Sequence, residues 1–221
     1  MRRFEEIYAI AADRKGGAEA LEKMLSIPLS REHLAKTTDD RWLAAMTKCL
    51  FQAGFNWKVI EAKWDGFERA FLGFDPVRVS FFHDEDMDRL LSDTGIVRNG
   101  AKIMAAVENA RFVCDLARDH GSAGAFFAAW PASDFVGLLQ MVSKQGSRLG
   151  AVTGQRMLRS MGRDGFILSP DVVARLIAEG IVDKAPSSKR DLAATQTAFN
   201  TWSEQSGRGL TQISQILAFS V

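Results

Sequence analysis

Apolar residues recur along most of the chain at the three- and four-residue spacing of an α-helix, with polar residues between them. Phe4, Ile7 and Ala11 form one such face near the N-terminus, and Ile103 and Val107 belong to another. No segment shows the sustained alternation that indicates a β-strand. The pattern therefore predicts an all-α protein. Helices are expected at about residues 4–14, 18–25, 39–53, 57–71, 84–94, 100–119, 123–130, 151–161, 170–179, 187–205 and 210–218. Asn56 is expected to cap the helix at 57–71, and residues 135–141 are expected to form a further helix or a loop.

The 221 residues are enough for a full hydrophobic core, arranged as one domain or as two closely packed lobes. Composition, 47% hydrophobic and 25% charged, is that of an ordinary globular protein. No run of about 18 apolar residues exists and the N-terminus lacks a signal-peptide core, so we expect no membrane partner. Cys49 and Cys114 are the only cysteines, which excludes a disulfide framework and suits the reducing cytoplasm, the expected location.

Basic residues concentrate in one part of a nearly neutral chain. The net charge is +1, whereas residues 142–190 contain nine Lys or Arg and four Asp or Glu. A local excess of positive charge suits a surface that faces DNA, and it equally suits an ordinary solvated face.

Residues 157–180 have the pattern of two helices joined by a short hairpin. Two glycines permit a tight turn, an apolar plug follows, and Ser169 and Pro170 are good starting residues for the next helix. Backbone N–H groups at such a turn suit a phosphate oxygen, and an ordinary helical corner gives the same pattern. The residues expected to bind DNA here are Gly165, Ile167 and Ser169, with the basic side chains of Arg159, Arg163 and Lys189 nearby in sequence.

A second segment, KCLFQAGFNW, places aromatic rings beside an amide where a helix runs into a turn. Rings stack on a planar heterocycle, and a glutamine reads its hydrogen-bonding edge. The candidate base-binding residues are therefore Phe51, Gln52, Phe55 and Trp57. The alternative is that the three rings belong to the core.

A third corner, TGIVRNGAKI, follows further along, with Arg98 and Lys102 at its edge. The order of the three segments resembles the DNA-3-methyladenine glycosylase I family, whose pattern runs Gln-Ala-Gly-(apolar)-Ser-Trp, Phe-Asp-Pro, Gly-Ile-Ile-Arg, Gly-Lys-Ile and then the hairpin. The match is good over residues 42–112 and weaker over 157–182. It is absent from the first 40 residues and from 185 onward.

The resemblance implies a two-lobed helical bundle with a helix-hairpin-helix DNA glycosylase architecture, formed by residues 1–221 as a single unit. It also implies a monofunctional enzyme that flips an alkylated purine out of double-stranded DNA and cleaves its N-glycosidic bond. No cofactor is implied, and no oligomeric state follows from the sequence.

The chain departs from the family pattern at several positions. The family's N-terminal zinc-and-aromatic segment has no counterpart, and His33, His83 and His120 are not paired at ligand spacing, so we expect no metal. Cys49 stands where the family has its pocket glutamate, and it stabilises a cationic sugar only if it ionises. Ser187 and Ser188 fall near the place of the superfamily's later catalytic acid.

The expected mechanism uses the cationic charge of an alkylated base, which leaves as a neutral molecule, so that positioning and pocket electrostatics supply much of the rate. We expect the base to stack on Trp57 and Phe55 and to meet Gln52. Asp171, the acid nearest the hairpin, is a candidate for stabilising the sugar, although acids in a first helical turn commonly complement the dipole. Lys48 is expected at a phosphate or the pocket, or else in solvent.

A glycosylase that acts on a different lesion is also possible from the sequence, and two hypotheses of another kind stay open. A homologue without catalysis would bind damaged DNA and release no base, as the missing glutamate suggests. A helical interaction or ligand-sensing protein that kept only the fold would have no salt-dependent affinity for DNA.

Overall fold

The computed structural model describes the backbone of residues 1–221 and every side chain except that of Ala151. The described residues form fifteen α-helices and two short 3₁₀ helices, with no strand among them. The α-helices are α1 (Phe4–Arg14), α2 (Ala18–Met24), α3 (Arg31–Ala35), α4 (Asp39–Gln52), α5 (Trp57–Ala62), α6 (Trp64–Ala70), α7 (Pro76–Ser80), α8 (Asp84–Ser92), α9 (Gly100–His120), α10 (Ala123–Ala129), α11 (Phe135–Gln145), α12 (Ala151–Ser160), α13 (Pro170–Ala178), α14 (Lys189–Ser206) and α15 (Leu210–Phe219).

The all-α prediction is confirmed, and the structure corrects it in two places. The single helix expected over residues 57–71 is two helices, because Lys63 has the non-helical backbone angles φ −100° and ψ 5°. Its N–H closes α5 on the carbonyls of Val59 and Ile60, and its own carbonyl accepts the N–H of Gly66 and so starts α6. The short helices α3 and α7 were not expected, since five residues carry little periodicity.

In the part of the chain that the structure describes, no single helix is both long and apolar enough to cross a membrane. One bent pair, Ala123–Ala129 with Ala132–Gln145, meets those criteria together, on length and composition alone.

The chain divides into two compact units. The first unit comprises residues 1–29, 130–138 and 162–221, and the second comprises residues 30–129 and 139–161. In the first unit α15 packs against α1, α13 and α14. Its aromatic core is built on Phe166, which stacks on Phe199 at 4.3 Å between ring centroids and meets Phe135 edge to face at 4.9 Å. Each of these rings is fully buried.

The hairpin segment (residues 162–169) is fastened to α15 within the first unit. The Asp164 carboxylate accepts the N–H groups of Leu210 at 3.0 Å and Thr211 at 2.8 Å, and so caps a helix that has no side-chain cap of its own. A Cβ at Gly165 would lie 2.3 Å from the Phe135 ring, so only glycine fits there. The hairpin segment is therefore part of the packed first unit.

The second unit is organised around α4, which packs against α9, α10 and α12. Trp42 on α4 stacks on Phe127 of α10 at 4.3 Å, and the Asp39 carboxylate accepts the N–H of Ala123 at 2.8 Å. The end of α4 is held from α9, because the Lys102 ammonium donates to the carbonyl oxygens of Phe51 at 3.1 Å and Ala53 at 2.7 Å. These contacts fix the helix that carries the candidate site.

Candidate functional site

One face of α4 is left open by the core and lines a pocket. The opposite face is buried through residues such as Trp42, Met46 and Leu50. The open face follows the helical repeat. It consists of Arg41, Ala44, Ala45, Lys48, Cys49 and Gln52.

The second wall comes from the α5–α6 segment. Asn56 caps α5 by accepting the N–H of Lys58 at 3.0 Å, as the sequence predicted. Trp57 and Glu61 are one helical turn apart on α5 and therefore point the same way, and Trp64 joins them from the first residue of α6. With Ser160 and Met161 they complete a pocket of about 490 Å³, within the range of small-molecule sites. All its lining residues belong to the second unit.

A smaller cavity of about 50 Å³ adjoins the same side chains, since Cys49, Gln52 and Trp57 line both. Arg156 also lines the small cavity, with its guanidinium carbon 5.0 Å from the centre of the Trp57 ring. This is a cation–π contact. Trp57 is 46% exposed, so its ring is available at the surface of the unit.

Polar groups in the pocket bind one another in a chain. Glu61 Oε1 accepts a hydrogen bond from Gln52 Nε2 at 3.0 Å, and Glu61 Oε2 lies 3.1 Å from Lys48 Nζ. The same ammonium lies 4.3 Å from the centre of the Trp64 ring. The ion pair is half open to water, with 54% of the Glu61 side chain exposed, so it contributes little to stability. Its partners can therefore be exchanged for a ligand at low cost.

Cys49 is neutral at the pocket wall. Burial raises the pKa of its thiol, and this outweighs the opposing effects of a hydrogen bond with Ser160 and of the charges of Arg156 and Lys48. The raised pKa disfavours the ionised thiol that a replacement for the family glutamate would need.

The other aromatic candidates fall outside the pocket lining. Phe51 is fully buried and packs edge to face on Phe67 at 4.7 Å, so its predicted role in base stacking is corrected to one in the core. Phe55 is 45% exposed in the turn after α4 but does not line the described pocket. Gln52 and Trp57 are the predicted base-binding residues that the structure brings together.

The backbone N–H groups of the hairpin segment that were expected to bind phosphate already donate hydrogen bonds within the protein. The N–H of Gly165 donates to Thr211 Oγ1 at 3.1 Å, and the N–H of Ile167 donates to Ser214 Oγ at 3.1 Å. Ser169 caps α13 as predicted, because its hydroxyl accepts the N–H of Val172 at 3.3 Å. The expected phosphate contacts of Gly165 and Ile167 are therefore corrected to contacts with α15.

The basic residues predicted to contact DNA differ in how deeply they are buried. Arg163 is 6% exposed, and its guanidinium donates to the carbonyl oxygens of Asp164 at 2.7 Å and Trp130 at 2.8 Å, so it is a structural residue and not a DNA contact. Arg159 is half-buried in α12. Lys189 is exposed at the start of α14, and Asp171 is exposed in the first turn of α13.

Sequence reasoning missed Glu61, Trp64 and Arg156. In the single helix expected over residues 57–71, positions 61 and 64 fall on the same face as the predicted Trp57, so the signal for the first two was present. Within the described residues, no three His, Cys, Asp or Glu side chains lie close enough to hold a metal ion, and the expected absence of a metal stays a prediction.

Comparisons with known proteins identify the family to which this all-α chain belongs. The family model described as methyladenine glycosylase matches residues 34–184, so the chain belongs to that family. The resemblance found in the sequence is confirmed.

Two curated relatives match over a short segment. The DNA-3-methyladenine glycosylase 1 of Escherichia coli K12 is 42% identical over 60 residues, which are 27% of this chain and 32% of that protein. The DNA-3-methyladenine glycosylase of Haemophilus influenzae is 33% identical over 60 residues, with the same shares. The matched segment thus spans about a third of each relative.

Solved structures share the fold over more of the chain. A 3-methyladenine DNA glycosylase I from Staphylococcus aureus is 22% identical with a TM-score of 0.51, covering 62% of this chain and 80% of that one. The 8-oxoguanine DNA glycosylase of Methanocaldococcus jannaschii is 14% identical with a TM-score of 0.56, covering 95% and 90%. At these identities the likeness establishes the helical glycosylase fold.

Proposed function

We propose that this protein is a monofunctional DNA N-glycosylase that flips an alkylated purine of the 3-methyladenine kind out of double-stranded DNA and releases it. The observation that carries the proposal is the pocket of about 490 Å³ between Trp57 and Trp64, with Gln52 in its wall. Indole rings stack on a planar base, and stacking is worth about 1–3 kcal/mol per base. The names of the curated relatives support the same activity.

Gln52 is the residue proposed to read the edge of the base. Its side-chain nitrogen donates to Glu61, while no described residue donates a hydrogen bond to its Oε1. That oxygen can therefore accept the exocyclic amino group of an adenine derivative. Among the predicted DNA-binding side chains, we propose that Lys189 and Arg159 contact the phosphate backbone of DNA and that Lys48 acts in the pocket. Asp171 stays a weaker catalytic candidate.

The cytoplasm is the proposed location. Cys49 and Cys114 are both free thiols, which suits a reducing compartment.

The test is release of free base from methylated duplex DNA, measured by chromatography of 3-methyladenine and 7-methylguanine. Wild-type protein is expected to release base, and Trp57→Ala to lower the rate about ten- to a hundredfold, because stacking is lost. Gln52→Ala is expected to act in the same direction.

Phe81→Ala and Gln140→Ala are matched controls, since both side chains are exposed outside the pocket. They are expected to leave release unchanged. Release that survives both pocket substitutions would remove the pocket from the proposal.

A second candidate function is damage recognition without catalysis. It is favoured by the neutral thiol of Cys49 at the place where the family has a glutamate. It predicts tight, salt-dependent binding of methylated duplex with no free base, whereas a protein that kept only the fold would bind DNA without salt dependence or not at all.

A further inference from the structure

The pocket contains a carboxylate at a position that the family pattern does not provide. Among the described lining residues, Glu61 is the only acid. It lies on α5, one helical turn after Trp57, and its two oxygens accept from Gln52 and Lys48. Because both oxygens act as acceptors and neither donates, the arrangement suits a carboxylate.

The depth of these groups orders them along the pocket. Gln52 is 9% exposed, whereas the Glu61 side chain is 54% exposed, so Glu61 lies nearer the opening. A flipped nucleotide enters base first, and its sugar stays closest to the duplex. This order matches a carboxylate that faces the deoxyribose and an amide that faces the base.

At position 49 the pocket has a cysteine where the family pattern has a glutamate. A neutral thiol cannot stabilise the positive charge that develops on C1′ when the glycosidic bond breaks. Lys48, beside it, carries charge of the wrong sign and is paired with Glu61 at 3.1 Å.

We propose that Glu61 is the catalytic carboxylate of this protein, acting on the deoxyribose of the flipped nucleotide in place of the absent family glutamate. The inference rests on the proposed function. The bond between the purine nitrogen and C1′ breaks, and its electron pair stays on the purine, which neutralises the alkylated base. The carboxylate faces the cationic C1′, water forms the new C1′–O bond, and the proton released by that water passes to Glu61 and then to solvent.

The first arm of the test compares single-turnover base release by wild type, Glu61→Gln and the control Glu108→Gln, an exposed glutamate on α9 outside the pocket. Gln keeps the size of the side chain and removes its charge. Glu61→Gln is expected to lower the rate about 100-fold, the size of a lost electrostatic contact to a transition state, while Glu108→Gln keeps it. Affinity for the methylated duplex is expected to change by less than about threefold, because the contact forms only as bond cleavage proceeds.

The second arm does not depend on turnover. It measures binding of a duplex with a pyrrolidine abasic-site analogue, whose ring nitrogen is protonated, against one with the neutral tetrahydrofuran analogue. Wild type and Glu108→Gln are expected to prefer the cation at least about tenfold, and Glu61→Gln to lose that preference. A change in folding alone would weaken both duplexes alike.

Release by Glu61→Gln within about threefold of wild type, or an unchanged preference for pyrrolidine, overturns the role of Glu61 and leaves the proposed function standing. Absence of release by the wild type overturns the proposed function, and the role of Glu61 with it.

Discussion

The pocket of the second unit and the hairpin segment of the first unit use their polar groups in opposite ways. In the hairpin segment, the N–H groups of Gly165 and Ile167 end on hydroxyls of α15, and Arg163 is buried against backbone carbonyls. In the pocket, Lys48 and Glu61 bind each other beside open space. Breaking the hydrogen bonds of a buried group costs free energy, whereas separating a half-exposed ion pair costs little.

This difference teaches that a motif's position in the sequence does not show whether its donors are available. Both segments match a family pattern associated with DNA. Only the pocket keeps polar atoms at an open cavity, so the comparison predicts that substitutions in the hairpin segment act on stability and substitutions in the pocket act on chemistry.

The largest effect on stability is expected from Gly165→Ala. The new methyl group would lie 2.3 Å from the buried Phe135 ring, and overpacking of this kind costs about 1–3 kcal/mol. Urea denaturation measures the loss. Gly100→Ala is the control, because its Cβ would meet only Leu91 at an ordinary 3.5 Å. Equal stability of the two variants would mean that the hairpin segment is not packed as described.

A smaller loss is expected from Asp164→Ala, which removes the acceptor for two N–H groups at the start of α15. Loss of a helix cap costs about 1 kcal/mol. The exposed Asp183 supplies the control Asp183→Ala, which is expected to leave the free energy of unfolding unchanged. Base release measured at a temperature where both variants are folded should match wild type. A selective loss of release in Asp164→Ala would instead give the hairpin segment a direct part in the chemistry.

The smallest predicted effect is the change with pH in the reactivity of the Cys49 thiol. Because burial raises the pKa of its thiol above the ordinary 9.0, less than about 1% is thiolate at pH 7, and the thiolate fraction rises as the pH climbs past 9. Alkylation by iodoacetamide, followed by mass spectrometry in a Cys114→Ser background, is expected to be slow at pH 7 and to accelerate with pH. Rapid modification at pH 7 would show an ionised thiol and reopen a catalytic role for Cys49.

Local features of the fold were predictable from the sequence. Asn56 and Ser169 cap helices where the sequence placed caps, because a capping side chain bonds only two or three residues ahead. The proximity of Gln52 and Trp57 was partly predictable, because only four residues separate them in the sequence. The break at Lys63 was not, since a long periodic stretch gives no warning of a local change in backbone angles.

Contacts between residues that are distant along the chain could not be predicted from the sequence. The hydroxyl of Thr211 reaches the N–H of Gly165 across 46 positions, and nothing in either segment indicates the other. Glu61 meets Gln52 only because α5 folds back on α4, so its place in the pocket depends on tertiary packing. Phe51 and Trp57 looked alike in sequence, and packing alone separated a core ring from a pocket wall.

Lys102 on α9 holds the backbone at the end of another helix, α4. Its ammonium ties down the carbonyls that precede the turn leading to Trp57, and burial together with the charge of Arg148 lowers its pKa. Acetylation would replace that ammonium by a neutral amide with a single N–H, which cannot donate to both carbonyls. A covalent mark at this residue, which lies outside the pocket lining, would therefore loosen the turn before Trp57 and change one wall of the pocket.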